Sequence, residues 1–174
     1  RRSLKLSLDM GLSVGSKSSS MRYPYYGELL LDWATATTTD SNGADVVEHS
    51  LLGGPHCLSL PYNAGDALCD VTVSVDLSAM TGFYLKCSKT GETTSNLRVY
   101  VTSDDFTHYA YCDFVVEPGV NTFTPHQRSF HRINGFSWAT HGAAITTIRF
   151  KDTPGVQASA YPKMVEGESI LVGP

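Results

Sequence analysis

Seven side chains in the middle third of the chain are of types that hold a polar ligand: Tyr84, Lys86, Arg98, Tyr100, Tyr109, Tyr111 and Asp113. They fall at alternate positions of three runs, Phe83-Tyr-Leu-Lys-Cys-Ser-Lys, Leu97-Arg-Val-Tyr-Val-Thr-Ser and Tyr109-Ala-Tyr-Cys-Asp-Phe-Val-Val. Successive side chains of a strand point to opposite faces. The set Phe83, Leu85, Cys87, Leu97, Val99, Val101, Ala110, Cys112, Phe114 and Val116 is apolar and should face a core. The other set gathers four tyrosines, two cations and one carboxylate. Tyrosine offers a flat apolar face with a polar tip. Sugars present apolar C–H faces edged by hydroxyls, so Tyr100, Tyr109 and Tyr111 suit stacking, while Lys86, Arg98 and Asp113 suit hydrogen bonding. The cations would also meet an acidic polysaccharide. The more ordinary reading is that a second layer or a neighbouring subunit covers this face and the tyrosines simply pack.

Other chemistry is poorly represented. Gly135-Phe-Ser-Trp-Ala lacks the second glycine of a nucleophile elbow. Asp104-Asp105 is an adjacent acid pair within a turn-like stretch, where turn and capping roles suit it better than acid–base catalysis; a calcium ligand role is a third reading. His126, His131 and His141 are spaced too irregularly for a zinc motif and have no carboxylate beside them in sequence. We read them as surface or hydrogen-bonded loop histidines. Cys57, Cys69, Cys87 and Cys112 include no C-x-x-C pair. Buried reduced thiols are the expectation, since free cysteine behaves as a small hydrophobe. A Cys87–Cys112 disulfide would need their strands to be neighbours.

The elements that would position these groups are short strands. Thr90-Gly-Glu-Thr-Thr-Ser and Asp104-Asp-Phe-Thr-His are turn-like, so residues 72–116 read as three strands with two turns. Upstream, residues 1–22 read as an N-terminal arm or linker, with Leu4, Leu6, Leu8 and Leu12 before a Gly/Ser stretch. Tyr23 to Trp33 reads as a first strand whose Leu and Trp residues pack in the core; an exposed Tyr patch is the rival. Thr35 to Gly43 reads as a polar loop. A strand follows at 56–60, and Val71, Val73, Val75 and Leu77 alternate cleanly in another. Downstream come a turn at Glu117-Pro-Gly-Val-Asn, the strand Asn121-Thr-Phe-Thr, and an irregular segment containing Trp138, which is expected in the core. A strand over 144–150, a turn at Asp152-Thr-Pro-Gly, and the stretch Val156 to Val165 close the chain.

About eight to ten short strands at regular spacing predict an all-β sandwich or barrel spanning 23–174 as one domain. Composition agrees: only 17% of the 174 residues are charged, and helical Ala/Glu/Lys/Leu periodicity is missing. A net charge of −4 with thirteen dispersed basic residues argues against nucleic acid. The chain has no N-x-S/T sequon, no apolar run of about 20 residues, and no signal-peptide pattern. No membrane insertion and no cofactor are expected. Starting at Arg1 and ending after Val172-Gly-Pro, it reads as a segment of a longer polypeptide.

Several segments in order carry a resemblance: Asp32-Trp33, Gly53-Gly54…Cys57-Leu-Ser-Leu, Val73-Ser-Val-Asp-Leu-Ser, Leu97 through Tyr109, Gly135-Phe-Ser-Trp, and Ile145-Thr-Thr-Ile-Arg-Phe. Over roughly residues 28–166 the series resembles jelly-roll, carbohydrate-binding-module-like domains of microbial and phage polysaccharide-active proteins, including tail fibres, tailspikes and polysaccharide deacetylases. The resemblance implies an antiparallel jelly-roll β-sandwich that binds polysaccharide or cell-surface glycan, in an extracellular or virion setting. Tyr161-Pro-Lys-Met-Val-Glu stands where such modules often carry an acidic pair for structural calcium, which argues against that ion. The Thr-Phe-Asp-Asp-Gly stretch of the deacetylases is absent, so any such activity would lie outside this segment; the chain itself is read as a non-catalytic module. The leading alternative is a structural tail or fibre module whose tyrosine face and arm meet neighbouring subunits, as a homo-oligomer or within a virion. A polysaccharide hydrolase or lyase using Asp104, Asp105 or Asp113 ranks last.

Overall fold

The computed structural model describes residues 28–48, 56–62, 65–153, 163–165 and 170–172. Its strands are β1 (Glu28–Leu31), β2 (Thr37–Ser41), β3 (Asp45–Val47), β4 (Cys57–Leu60), β5 (Leu68–Val75), β6 (Phe83–Lys89) and β7 (Ser95–Thr102). They continue as β8 (Tyr109–Val116), β9 (Gly119–Phe123), β10 (His131–Ile133), β11 (Ile145–Thr153), β12 (Lys163–Val165) and β13 (Ile170–Val172). Two antiparallel sheets result. The first centres on β6, which pairs with β9, β12 and β13; β4 and β3 extend it beyond β12, and β1 beyond β13. The second has the order β10-β8-β7-β11-β5-β2.

Alternation explains why the sheets stack. In β7, Leu97, Val99 and Val101 are buried while Asn96, Arg98 and Tyr100 are half-buried on the other side. β8 repeats the pattern with Ala110, Cys112, Phe114 and Val116 inward, β11 with Ile148 and Phe150, β5 with Cys69 and Val71. The first sheet answers with Leu58, Leu60, Phe83, Leu85 and Cys87. Aromatic pairs cross the layers: Phe114 meets Phe123 at 4.8 Å between ring centroids, and Phe83 meets Phe130 at 5.3 Å. Trp33, in the turn after β1, lies edge-on to Phe150 at 5.2 Å. The expected all-β, antiparallel jelly-roll sandwich is the observed fold.

Three expectations change. The runs over 83–89 and 109–116 are strands, as is the run from 97 as far as 102, yet of the three only β7 and β8 form a hairpin; residues 90–94 carry the chain from β6 into the other sheet. Thr37–Ser41, expected as loop, is the edge strand β2, paired with β5 from Thr37↔Thr72 to Ser41↔Leu68. Threonine favours extended backbone, and an edge with one solvated side tolerates polar residues on both faces. Asp152 and Thr153, expected in a turn, complete β11. Trp138 is half-buried, packed against the core from its rim. All four cysteines are buried, and Cys87 and Cys112 lie in different sheets. The expected arm, residues 1–22, lies outside the described residues, as do residues 154–162. No helix of the described residues is long and apolar enough to cross a membrane.

Candidate functional site

Because β7 and β8 are in register from Ser95↔Val116 to Thr102↔Tyr109, their outward side chains meet in rows across the second sheet. Arg98 stands opposite Asp113, Tyr100 opposite Tyr111, and Thr102 opposite Tyr109. β10 adds His131 beside Tyr111. On the other flank, β11 sets Arg149 beside Tyr100 and Lys151 beside Arg98, and β5 sets Asp70 beside Arg149. One row thus runs His131, Tyr111, Tyr100, Arg149, Asp70 across five strands. At about 4.8 Å between neighbouring strands, it is long enough to follow a chain of several sugar rings.

The aromatics form one cluster around Tyr100. Its ring lies 5.8 Å from Tyr109, 5.8 Å from Tyr111 and 6.1 Å from Phe106, while Tyr111 lies 5.1 Å from His131. These distances favour edge and tilted contacts, which leave parts of several rings facing outward. Tyr100, Tyr109 and Tyr111 are half-buried, and Thr72 and Asp113 on the same face are exposed, so this face meets solvent.

Both guanidiniums on the face are clamped. Arg98 donates from Nε and Nη2 to Asp113 Oδ1 and Oδ2 at 2.6 and 2.9 Å. Arg149 does the same to Asp70 at 2.6 and 2.7 Å. Each bidentate pair is further held by an aromatic ring: Arg98 sits 4.0 Å from the Tyr111 centroid and Arg149 3.9 Å from that of Phe106. The hydrogen bond with Asp113 holds Arg98 above its usual range despite partial burial, and Asp70 does the same for Arg149.

Phe106 reaches the cluster from the β7–β8 turn, where it and Asp105 take left-handed backbone, with φ of 63° and 53°. Such conformations cost a non-glycine residue about 1–3 kcal/mol each. The buried Thr102 hydroxyl holds the turn: it accepts from the Phe106 amide at 3.0 Å and donates to the His108 carbonyl at 2.9 Å. Asp104 Oδ1 accepts from the His108 amide at 2.8 Å. That bond is the main reason the Asp104 carboxyl is held below its usual range.

Of the seven residues expected at the site, the structure brings together Arg98, Tyr100, Tyr109, Tyr111 and Asp113. Tyr84 and Lys86 are placed elsewhere: they lie on the outer face of β6, in the first sheet, and point away from the tyrosine cluster. Alternation sorts a strand's residues into two faces and is silent about which layer the strand joins. Phe106, His131, Arg149, Asp70 and Lys151 join the five. Of these, only Arg149 and Lys151 carried a sequence signal, being outward positions of the predicted strand over 144–150 or its end.

No protein-family model matches the chain, and no curated protein matches it in sequence. Solved structures do match in fold. A family 11 carbohydrate-binding module from Clostridium thermocellum, solved in complex with a β-1,3-1,4-mixed-linked tetrasaccharide, superposes with a TM-score of 0.57 at 14% identity, covering 84% of this chain and 96% of that one. The family 11 module of a cellulosomal cellulase of Clostridium thermocellum gives 0.56 at 13% identity, over 87% and 97%. An agarase gives 0.59 at 12% identity, with 86% of this chain matching 25% of that one. The chain therefore has the fold of carbohydrate-binding modules.

Proposed function

We propose that the protein is a non-catalytic carbohydrate-binding module that lays a polysaccharide chain across the outer face of its second sheet. The solvent-facing cluster of Tyr100, Tyr109, Tyr111 and Phe106, flanked by fixed polar groups, is the observation that carries this reading. Fold likeness to modules that bind glycan supports it. The stacking surface takes the apolar faces of the sugar rings. The Arg98–Asp113 and Arg149–Asp70 pairs, already oriented, offer their remaining donors and acceptors to hydroxyls at little entropic cost.

The ligand class follows from charge. Arg98, Arg149 and Lys151 on this face are matched by Asp113, Asp70 and the neighbouring Asp105, which acts on Arg149. Since both guanidiniums hold a carboxylate bidentately, an acidic polysaccharide would have to displace one. A neutral glycan fits better than the acidic one the isolated cations suggested.

A panel of neutral and acidic polysaccharides, read by affinity electrophoresis and calorimetry, tests this with Tyr100→Ala and Tyr111→Ala beside the wild type. Loss of one stacking aromatic costs about 1–3 kcal/mol by analogy with stacked bases, roughly ten- to a hundredfold in affinity. Binding of a neutral chain, weakened to that extent in both variants, supports the reading. The reading falls if no polysaccharide binds and the same substitutions instead change the oligomeric state, which would make the face an assembly surface. Release of reducing ends by the wild type would overturn the non-catalytic part.

A further inference from the structure

The turn that carries Phe106 also carries Asp104 and His108, and the segment before β11 brings His141 against them. One ligand atom from each of the three lies within 4.8 Å of the others. Asp104 Oδ2 is 2.5 Å from His108 Nδ1. The His108 ring stacks on His141 with centroids 4.4 Å apart, and Phe136 backs His141 from its other side at 5.5 Å. Asp104 is anchored through Oδ1, while Oδ2 faces the His108 ring. All three side chains are partly exposed, so an ion can reach them from solvent.

We propose that Asp104, His108 and His141 bind a divalent transition-metal ion of the zinc class, with water completing the coordination. Two imidazoles and one carboxylate are a donor set suited to such ions. Calcium and magnesium require a shell of oxygens, of which the cluster offers one carboxylate. Ligand distances of about 2.0–2.2 Å require the three donor atoms to draw in toward a common centre. Two of them sit on the β7–β8 turn and the third just before the 3-10 turn Gly142–Ala144, so side-chain rotation can bring them together. The ion must displace the Asp104–His108 hydrogen bond or take the other ring nitrogen of His108, and it also competes with a bond at His141. His141 Nδ1 accepts from the Ser137 amide at 2.9 Å. Ligation through Nε2 shifts the ring proton to Nδ1, and ligation through Nδ1 takes up its lone pair; either way that amide loses its acceptor. Bound metal would tie the β7–β8 turn to the 137–144 segment, which lies far from it in sequence and already meets it through the His108–His141 stack.

The proposal is independent of glycan binding and is tested on untagged protein with metal ions alone. Zinc chloride is titrated by calorimetry, and cobalt(II) by its visible absorption. The expected result is one saturable site per chain, a shift of the Ser137 amide resonance, and no response to calcium. His141→Ala and His108→Gln should each weaken zinc by about a hundredfold or more, beyond the ten- to hundredfold typical of an outer-shell partner, while His126→Ala changes nothing. Circular dichroism confirms that each variant is folded. Absence of saturable binding up to millimolar zinc overturns the site. So does binding that survives both substitutions or leaves the Ser137 amide unmoved.

Discussion

Tyr100 sits where two effects can be separated by substitution, because its ring touches three aromatics on the ligand side while its backbone lies mid-sheet. Tyr100→Phe keeps the stacking surface and removes only the hydroxyl. We expect it to retain most of the glycan affinity that Tyr100→Ala loses, with a deficit below about 1.5 kcal/mol, the worth of an ordinary hydrogen bond. Calorimetry with the bound neutral glycan checks this, and equal losses in the two variants would show that the hydroxyl carries the contact. On the opposite side of the same sheet the chemistry is burial. The Cys112 thiol is pushed up to about 11, first by desolvation and then by the neighbouring Asp113 charge; burial also raises Cys69, helped by a hydrogen bond with Asp40. Native protein should therefore resist a thiol reagent at pH 8, with all four thiols reacting only after denaturation. A thiol whose folded value is raised contributes stability that is complete below the unfolded value of 9.0 and is lost as pH rises through about 11. Denaturant midpoints at pH 8 and pH 10.5 should fall apart more in the wild type than in Cys112→Ala.

The β7–β8 hairpin shows how one element serves both faces. Its strands supply the core through Leu97, Val99, Ala110 and Phe114, while its turn delivers Phe106 to the tyrosines. Two consecutive left-handed residues would not persist without the Thr102 hydroxyl, which is buried and bonded to both sides of the turn. Thr102→Val preserves shape and removes those bonds, so it should cost about 1–3 kcal/mol. For a chain of this size that is a drop of roughly 2–12 °C in Tm, with a loss of glycan affinity as Phe106 loosens. A Tm within 1 °C of wild type, read by calorimetry, would show that the turn holds itself. The hairpin itself was legible in sequence, because strict alternation flanks a short Asp-rich turn. Its turn geometry was not: nothing in Asp104-Asp-Phe-Thr-His announces positive φ at a phenylalanine. β2 stayed hidden for the converse reason, since Thr-Thr-Thr-Asp-Ser has no apolar face to betray a strand.

At the scale of the whole molecule, long-range pairing decides what the face can bind, and this was the part least visible beforehand. Asp70 and Arg149 are 79 positions apart, and their pairing depends on β5 and β11 being neighbours, which no local pattern states. Read singly, Arg98 and Lys86 looked like handles for an acidic chain. Folded, Lys86 leaves the face and Arg98 is held by Asp113. A face whose charges are internally matched should bind with little dependence on ionic strength, because no counterions need be released and the bidentate pairs are short. We expect the dissociation constant for the neutral glycan to change by less than about twofold between 50 mM and 500 mM salt, a range over which the Debye length falls severalfold. Asp113→Asn leaves Arg98 without its carboxylate and adds one net positive charge to the face. That variant should acquire weak, salt-sensitive binding to an acidic polysaccharide that the wild type ignores. Strong salt dependence in the wild type would mean instead that the ligand displaces Asp113 or Asp70, and would return the acidic polysaccharides to first place.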